Sequence, residues 1–494
     1  MKTAVRALRR SLPSLLVADL LLASVAPGVA DSVAVEERIH RVEQGLLRPV
    51  LIRGEPIRSI SIAEGLKLHH VPGVSVAVIN NGKLEWARGY GVLEAGGDKP
   101  VTQETLFQAA SISKPVAAMA ALAFVERGKL ALDEDVNRRL VSWKVPENDF
   151  TREENVTLRR LLSHSAGLTV HGFPGYAADE PLPTLRAVLD GAKPANTKAI
   201  LPDLLPGTSL RYSGGGYCVV QQLLMDITDK SFPLILQETV LGPLGMKHSS
   251  YEQPLPAAKC GSAAVAHNST GEPLKGKWHI YPELAAAGLW TTPSDLARFA
   301  IELQKCRIGK SSRVLSTRMA RQMLTPQVGD AGLGIFLGGS GQTWRFSHGG
   351  ANAGFRAMMV AYAETGWGAV VMANSDSGGD LNQAILFSIA KEYGWPDYRP
   401  KVRSVTAVDP KIYAAYAGQY QIRPDLPVTV TTEAGRLFVQ APNQPKVQLH
   451  PETKTKFFVT EAEVEMTFFP DANGEVSEIM VHAEGQDLKA KRVR

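Results

Sequence analysis

The chain has 494 residues, a length that exceeds one compact core and predicts two or three domains. Its content of 44% hydrophobic and 21% charged residues is ordinary for a globular protein and argues against a disordered chain. The formal net charge is +5, and residues 1–30 contribute four basic residues against one acidic residue to it. The roughly +2 that remains is too small to indicate nucleic acid as a partner.

The first thirty residues have the pattern of an export signal. Basic residues precede an apolar stretch over residues 12–26, and Gly28-Val29-Ala30 offers a small-x-small cleavage site. We therefore predict a signal peptide over residues 1–30, cleavage after Ala30 and a secreted or periplasmic protein. The alternative is a short membrane anchor, but the stretch is shorter than a bilayer span and is interrupted by Asp19. No later segment has the pattern of a membrane span.

Hydrophobic patterns outline a first large domain over residues 31–395. A helix is expected over residues 34–48, and a hairpin with its turn at Asn80-Asn81-Gly82 follows. Its two strands are predicted at Val74–Ile79 and Leu84–Tyr90. A strong helical pattern covers Ala117–Glu126, and further helices run to about residue 325. The domain ends with three strands and a helix, predicted at Thr343–Ser347, Ala357–Ala361, Ala369–Met372 and Leu381–Glu392.

This order of elements predicts an α+β fold. An antiparallel sheet completed by both ends of the domain is flanked by helices, with an all-helical subdomain between them. Prolines then mark a linker over residues 396–412. Short alternating segments over residues 413–494 predict a small all-β domain, either a sandwich or a barrel. An extension of the main sheet is the alternative, and the proline-rich linker favours a separate module.

The three cysteines are widely spaced and form no CxxC pair, which excludes a disulfide framework and a zinc cluster. Cys218 falls in a predicted buried helix, where a core role is expected. A single bridge between Cys260 and Cys306 is compatible with an oxidising compartment, and the sequence leaves it open.

The first candidate catalytic motif is Ser111-Ile-Ser-Lys114, just before the helical pattern at Ala117. A serine hydroxyl needs an adjacent base to act as a nucleophile near neutral pH. Lysine at i+3 shares a helix face with the serine, so the two side chains can touch. A lysine acts as a base only where burial or nearby positive charge favours its neutral amine. An N-capping role is the competing interpretation of Ser111, and Ser113 is interpreted as such a cap.

The second candidate is Tyr212, in the segment Leu210-Arg-Tyr-Ser-Gly-Gly-Gly216 before a helical pattern. A tyrosine on such a loop can shuttle protons where a lysine stabilises its phenolate. A surface aromatic residue beside a glycine-rich turn is the alternative.

The third candidate is the end of a predicted strand, where His348 is followed by Gly349, Gly350 and Ala351. The two glycines allow a substrate backbone to approach closely. The backbone N–H of Ala351 can then serve as a second oxyanion donor, beside that of Ser111. A structural histidine with satisfied hydrogen bonds is the alternative for His348.

In this order and in these settings, the three motifs resemble the penicillin-binding protein and class C β-lactamase superfamily of serine hydrolases. That superfamily also contains D-amino-acid peptidases, carboxypeptidases and esterases. The resemblance spans residues 65–390, and the segment that follows is similar to the small β domain appended to some members. Three further stretches are similar: Leu161-Leu-Ser-His164-Ser-Ala-Gly167-Leu, Pro243-Leu-Gly-Met246 and Ala287-Gly-Leu-Trp-Thr-Thr-Pro-Ser-Asp295-Leu.

The resemblance implies that Ser111 forms an acyl-enzyme and that Lys114 and Tyr212 transfer protons. It places His348, Gly349 and Gly350 in the third motif, which binds substrate. Members of this branch need no metal and no organic cofactor. The absence of HExxH and of G-x-S-x-G from the sequence disfavours a zinc hydrolase and an α/β-hydrolase.

Two departures from the family pattern bear on the substrate. Gly214 stands where the second motif commonly has asparagine, and His348 stands where β-lactamases usually have lysine. A histidine is mostly neutral at pH 7 and attracts a carboxylate weakly. Arg356 is an alternative carboxylate ligand, although a solvated arginine at a strand end is the favoured interpretation.

We therefore expect an exported hydrolase that acts on a small-molecule or peptide acyl substrate. Short acyl esters rank first, peptides with D-amino acids second and β-lactams third. The alternative is a penicillin-binding or sensing protein that keeps the fold without turnover. The oligomeric state and the role of the C-terminal domain are left open.

Overall fold

The computed structural model describes residues 27–423, 426–442, 444–483 and 486–493. Most of the predicted signal peptide, residues 1–26, lies outside the described residues. The first described helix begins at Pro27 and ends at Glu43, so it overlaps the helix predicted over residues 34–48. Among the described residues, no helix has both the length and the apolar character needed to cross a membrane.

The helices are numbered in chain order: α1 Pro27–Glu43, α2 Ile62–Leu68, α3 Ser113–Glu126, α4 Asp149–Glu153, α5 Leu158–Leu162, α6 Leu185–Asp190, α7 Gly214–Thr228, α8 Phe232–Leu236, α9 Gly242–Leu244, α10 Ala257–Cys260, α11 Leu284–Ala287, α12 Pro293–Arg307, α13 Thr317–Met323, α14 Gly378–Glu392 and α15 Tyr413–Tyr416.

The strands are β1 Val50–Ile52, β2 Gly73–Asn80, β3 Lys83–Gly91, β4 Phe107–Gln108, β5 Trp290–Thr291, β6 Phe336–Gly338, β7 Arg345–Asn352, β8 Phe355–Tyr362, β9 Gly368–Ala373, β10 Lys401–Arg403, β11 Gly418–Arg423, β12 Leu426–Glu433, β13 Arg436–Gln440, β14 Val447–Pro451, β15 Lys456–Phe458, β16 Val464–Pro470, β17 Val476–Ala483 and β18 Gln486–Arg492.

The main sheet has six strands in the order β3-β2-β9-β8-β7-β6, and each neighbouring pair is antiparallel. The hairpin β2–β3 comes from the N-terminal part of the domain and pairs with β9 from its C-terminal part. The prediction that both ends of the domain complete one antiparallel sheet is therefore confirmed. The hairpin turns at Asn81 and Gly82, both with positive φ, as the Asn-Gly pattern predicts.

The sheet separates two hydrophobic cores, because alternate residues of a strand point to opposite faces. In β2, Val74, Val76 and Val78 pack into one core together with residues of α1 and α14. On the other face, Ala77 and Ile79 pack into a larger core that includes α3, α7 and α12. This larger core belongs to the helical subdomain, which occupies most of the chain between β3 and β6.

The C-terminal domain is a closed barrel of eight antiparallel strands, β11 to β18, in which β18 pairs with β11. Of the two predicted architectures the barrel is thus the one found. Its interior is filled by aromatic and aliphatic side chains, among them Tyr420, Phe457 and Phe468. Within the predicted linker, β10 pairs in parallel with β1 at the other end of the hydrolase domain.

All three cysteines are free thiols. Cys218 is buried in α7, as predicted. The bridge between Cys260 and Cys306 that the sequence left open is not formed. The Cys260 thiol contacts the carbonyl oxygens of Leu255 and Pro256 within its own turn, and the Cys306 thiol donates to the Leu315 carbonyl.

Candidate active site

Ser111 and Lys114 lie side by side at the start of α3. Ser111 is in a 3-10 turn over Ala110–Ile112, and α3 continues directly from that turn. Lys114 Nζ donates to Ser111 Oγ at 3.0 Å and to the Ala286 carbonyl oxygen in α11 at 2.8 Å. The lysine is only 2% exposed, so its amino group is held against the serine by packing as well as by hydrogen bonds.

The turn that carries Ser111 has an unusual backbone. Ala110 adopts a left-handed conformation with φ of 49°, which is uncommon for a residue with a side chain. Ser113 stabilises the turn, since its hydroxyl donates to the Ala110 carbonyl and accepts the backbone N–H of Leu289. The interpretation of Ser113 as an N-cap of the helix is therefore wrong. It cross-links the turn to the chain before β5.

The second half of β7 faces this turn along an open strand edge. The pairing with β6 stops at Ser347, and in the described residues no other strand pairs with that edge beyond it. The strand approaches the turn so closely that a Cβ at Gly350 would lie 2.2 Å from the Ala109 carbonyl oxygen. A glycine is therefore required here. Gly349, Gly350 and Ala351 line the same cleft as Ser111.

Tyr212 lies on the loop before α7, as predicted, with its ring against Lys114. The Lys114 Nζ atom is 4.9 Å from the centre of this ring. The Tyr212 ring also stacks on His164 with 4.2 Å between ring centres. The backbone N–H of Ser213 donates to His164 Nδ1 at 3.1 Å. His164 thus holds the tyrosine loop in place.

His348 is buried close to Lys114 and Tyr212. Burial and the nearby Lys114 lower its pKa to about 3, so the imidazole is neutral at pH 7. The Nδ1–H group donates to the Gly349 carbonyl oxygen at 2.7 Å, and this assignment leaves Nε2 as an acceptor without a partner. His348 therefore supplies a hydrogen-bond acceptor to this part of the site and no positive charge.

The seven predicted site residues line one cleft of about 730 Å³. Sequence reasoning missed four aromatic residues in its walls, which come from three separate segments of the chain: His171, Phe173, Phe336 and Tyr398. His171 packs against Tyr212 with 4.8 Å between ring centres, and Phe336 lies 5.4 Å from His348. No motif marks these residues, because only the fold brings them together.

The position of the missing asparagine is filled by another part of the chain. A Cβ at Gly214 would lie 3.0 Å from the Phe173 ring and 3.1 Å from the His171 carbonyl oxygen. That carbonyl accepts the backbone N–H of Gly214 at 3.0 Å. The Phe173 ring therefore stands beside the point where an asparagine side chain would begin, and that side chain would require the ring or the loop to shift by a few tenths of an ångström.

Arg356 does not present a free charge to the cleft. Its guanidinium pairs with Asp376 at 3.0 Å and donates to the carbonyl oxygens of Asn352 and Phe355. It therefore braces the turn between β7 and β8, and the favoured interpretation of a solvated arginine is replaced by a structural one.

The family of the chain follows from comparison with known proteins. A family model described as Beta-lactamase matches residues 61–391. The chain belongs to the beta-lactamase family. The match covers the whole main sheet and the helical subdomain of this family member, with Ser111, Tyr212 and His348 inside it. A second model, described as a domain of unknown function (DUF3471), matches residues 402–492 and thus covers the barrel.

Individual relatives agree with this membership. Penicillin-binding protein 4* of Bacillus subtilis is 25% identical over 464 residues, which cover 88% of this chain and 98% of that protein. The structure of EstCE1, a hydrolase with promiscuous acyltransferase activity, matches with a TM-score of 0.56 and 19% identity over 73% of this chain and 99% of EstCE1. A class C β-lactamase mutant matches with a TM-score of 0.55 and 21% identity over 74% of this chain and 99% of its own.

These comparisons confirm the predicted superfamily and the β-lactamase/transpeptidase-like fold. The family model also supports a serine hydrolase in general terms.

Proposed function

We propose that the protein hydrolyses an ester or amide through an acyl-enzyme on Ser111. The observation that carries this proposal is the 3.0 Å contact between Lys114 Nζ and Ser111 Oγ, beside an open strand edge. A nucleophile within hydrogen-bond reach of its base is the arrangement that serine acylation requires. The cleft also brings Tyr212 against the same lysine, which provides a second group for proton transfer.

In this mechanism the amine of Lys114 takes the proton of Ser111 as Oγ attacks the acyl carbon. The backbone N–H groups of Ser111 and Ala351 stabilise the negative oxygen of the tetrahedral intermediate. The intermediate collapses when the leaving group departs with a proton from the Tyr212 hydroxyl, which recovers one from Lys114. Water then attacks the acyl-enzyme with the same groups acting in reverse, and it regenerates the Ser111 hydroxyl.

Short acyl esters remain the first candidate substrates. At Gly214 the chain lacks the asparagine amide that would bind the acylamino group of a substrate, and the Phe173 ring lies beside that position. The Gly214 N–H group donates to the His171 carbonyl oxygen. Neither His348 nor Arg356 offers a free positive charge to a carboxylate. Amide-bearing and carboxylate-bearing substrates thus lose two contacts, whereas a short apolar acyl group loses none. Peptides with D-amino acids and β-lactams follow in that order.

Labelling with a fluorophosphonate, followed by mass spectrometry, tests the nucleophile. We expect one adduct on Ser111 and none in Ser111→Ala. Lys114→Met should reduce kcat/KM by about 10²–10⁴-fold, the usual contribution of a positioned base. The matched control is Lys129→Met, which changes an exposed lysine after α3 and should leave the rate unchanged. An adduct on another residue would contradict the proposal.

Parallel assays with a p-nitrophenyl ester and with nitrocefin test the order of substrates. We expect turnover of the ester and slow or no turnover of nitrocefin. Phe173→Ala should open the space beside Gly214 and raise KM for a short ester more than it lowers kcat. Rapid hydrolysis of nitrocefin would overturn the order.

The second candidate function is a penicillin-binding or sensing protein without turnover, and the absent amide at Gly214 favours it. A weakened proton-transfer network would leave the acyl-enzyme intact. Labelled penicillin distinguishes the two, since a hydrolase releases the label whereas a sensor keeps it on Ser111.

We also propose that the protein is exported to the periplasm or secreted. The basic residues, apolar stretch and small-x-small site of residues 1–30 support this. N-terminal sequencing of the protein from periplasmic and culture fractions should give a mature chain that begins at Asp31. An intact Met1 terminus in the membrane fraction would favour the anchor instead.

A further inference from the structure

A second cleft lies on the surface of α12, apart from the active site. It encloses about 530 Å³, and no residue lines both clefts. Its floor is one face of α12, with Arg298, Ile301 and Lys305 spaced three and four residues apart. Its walls are the segments 244–248 and 310–313. We call this feature the basic cleft.

Two buried carboxylates of α12 hold the walls in position. Asp295 is fully buried and accepts the backbone N–H of His248 at 2.8 Å and the Ser249 hydroxyl at 2.9 Å. Glu302 is 6% exposed and accepts the Ser311 hydroxyl at 2.7 Å and the backbone N–H of Arg313 at 3.0 Å. Each wall is thus fixed to the floor by a carboxylate, and the cleft is formed without a ligand.

The two carboxylates offset only part of the positive charge around them. Asp295 forms an ion pair with Arg298, whereas both carboxylate oxygens of Glu302 accept hydrogen bonds from neutral donors. In the part of the chain that the structure describes, no ion pair is made by the four other cations of the cleft, which are Lys247, Lys305, Lys310 and Arg313. Five cations, with Arg298 included, thus face two carboxylates around one concavity, and this leaves a local excess of positive charge.

We propose that the basic cleft binds a small soluble ligand with two or more phosphate groups. A phosphate group carries about −1.5 to −2 charges at pH 7, so two of them together can offset the positive charge that remains in the cleft. The Arg313 guanidinium suits bidentate contact with a phosphate, and three lysine ammonium groups supply further charge. The volume lies within the range of small-molecule sites, about 300–1,000 Å³, which favours a compact ligand over a polymer.

Calorimetric titration of the full chain with inorganic tripolyphosphate tests the proposal. We expect one saturable site per chain, with affinity that falls as ionic strength rises. Removing the four unpaired cations should weaken binding at least about tenfold, since each contributes to the charge that holds the phosphates. This variant carries Lys247→Ala, Lys305→Ala, Lys310→Ala and Arg313→Ala.

The matched control removes four exposed lysines elsewhere, so its net charge changes by the same amount. It should bind within about twofold of the wild type because none of these lysines lines the basic cleft. It carries Lys129→Ala, Lys198→Ala, Lys391→Ala and Lys411→Ala. Equal loss in the two variants, or no saturable binding, would overturn the proposal. Both variants should keep the unfolding temperature of the wild type. The single change Lys310→Glu reverses one charge of the basic cleft and tests the same dependence on positive charge with one substitution.

Two further titrations define the ligand and the site. Tricarballylate, a tricarboxylate of similar size, should bind at least about fivefold more weakly than tripolyphosphate, because carboxylates carry less charge per group. Equal affinity would overturn the assignment to phosphate. Ser111→Ala should bind tripolyphosphate as the wild type does, and loss of binding in that variant would place the ligand in the active-site cleft instead.

Discussion

The Lys114 amino group is surrounded by a serine, a carbonyl group and aromatic faces. Its Nζ atom lies 4.9 Å from the ring centre of Tyr212 and 5.8 Å from that of Tyr217. Among the described residues, no carboxylate forms an ion pair with it. Two hydrogen bonds and two aromatic rings, rather than an ion pair, therefore hold this amino group beside the nucleophile.

His348 should make the stability of the protein depend on pH. Its pKa is about 3 in the folded state, well below its ordinary value near 6.5. Above pH 6.5 the imidazole is neutral in both states and its contribution is complete. As the pH falls from 6.5 towards 3, the unfolded chain binds a proton that the folded chain does not. The free energy of unfolding should then fall by about 1.4 kcal/mol per unit of pKa difference.

Urea unfolding of His348→Asn at pH 7 and pH 4.5 measures this effect. The variant should lose less stability on acidification than the wild type because it lacks the group that must stay neutral. His40→Asn, which changes an exposed histidine of α1, should behave as the wild type. An acid sensitivity in His348→Asn equal to that of the wild type would contradict the expectation.

The short helix α11 lies between Lys114 and the buried residue Glu283. Glu283 precedes α11, is fully buried, and has no hydrogen-bond partner on either carboxylate oxygen. Its own carbonyl accepts the backbone N–H groups of Ala286 and Ala287, and Ala286 in turn accepts a hydrogen bond from Lys114. Glu283 is therefore connected through its backbone to the helix turn that holds the base.

Burial raises the pKa of Glu283 to about 7. The folded state thus keeps a proton that the unfolded chain releases near pH 4.5, so stability is complete at low pH and falls as the pH rises towards 7. Glu283→Gln should remove this loss and raise the free energy of unfolding at pH 8 by about 3 kcal/mol. Denaturant titrations at pH 5 and pH 8 would show it, and a variant less stable than the wild type at pH 8 would contradict it.

The sequence predicted those elements whose signal is local. The short apolar run of β2 and the Asn81-Gly82 turn after it identify the hairpin, since both signals lie within a few residues of each other. The parallel pair β1–β10 carries no such signal, because it joins two three-residue strands from opposite ends of the domain. In the site, Ser111, Lys114 and Tyr212 belong to recognisable motifs. Phe173 does not, because its role depends on the space left by Gly214.

At the scale of the whole molecule, the barrel is joined to the hydrolase domain away from the cleft. No described residue of the barrel lines the active site. Tyr398, which precedes the barrel in the sequence, is the most C-terminal residue in the cleft wall. The join is ionic. Arg403 of β10 pairs with Glu452 at 3.0 Å and with Glu465, both in the barrel, while Arg48 pairs with Glu461. The barrel is therefore placed by contacts with β10 and the chain before β1.

Arg403→Ala should loosen the barrel without lowering hydrolysis. The Arg403 side chain is only 16% exposed, and its removal leaves two carboxylates that share the remaining Lys456. We expect the free energy of unfolding to fall by about 1–2 kcal/mol and proteolysis within residues 404–409 to become faster.

Lys401→Ala is the matched control on the same strand, because the ion pair between Lys401 and Glu463 is exposed and contributes less than about 1 kcal/mol. Ester hydrolysis should stay within about twofold in both, since neither change touches the cleft. If Arg403→Ala lost activity while its fold stayed intact, the barrel would have to act on the cleft through the hydrolase domain.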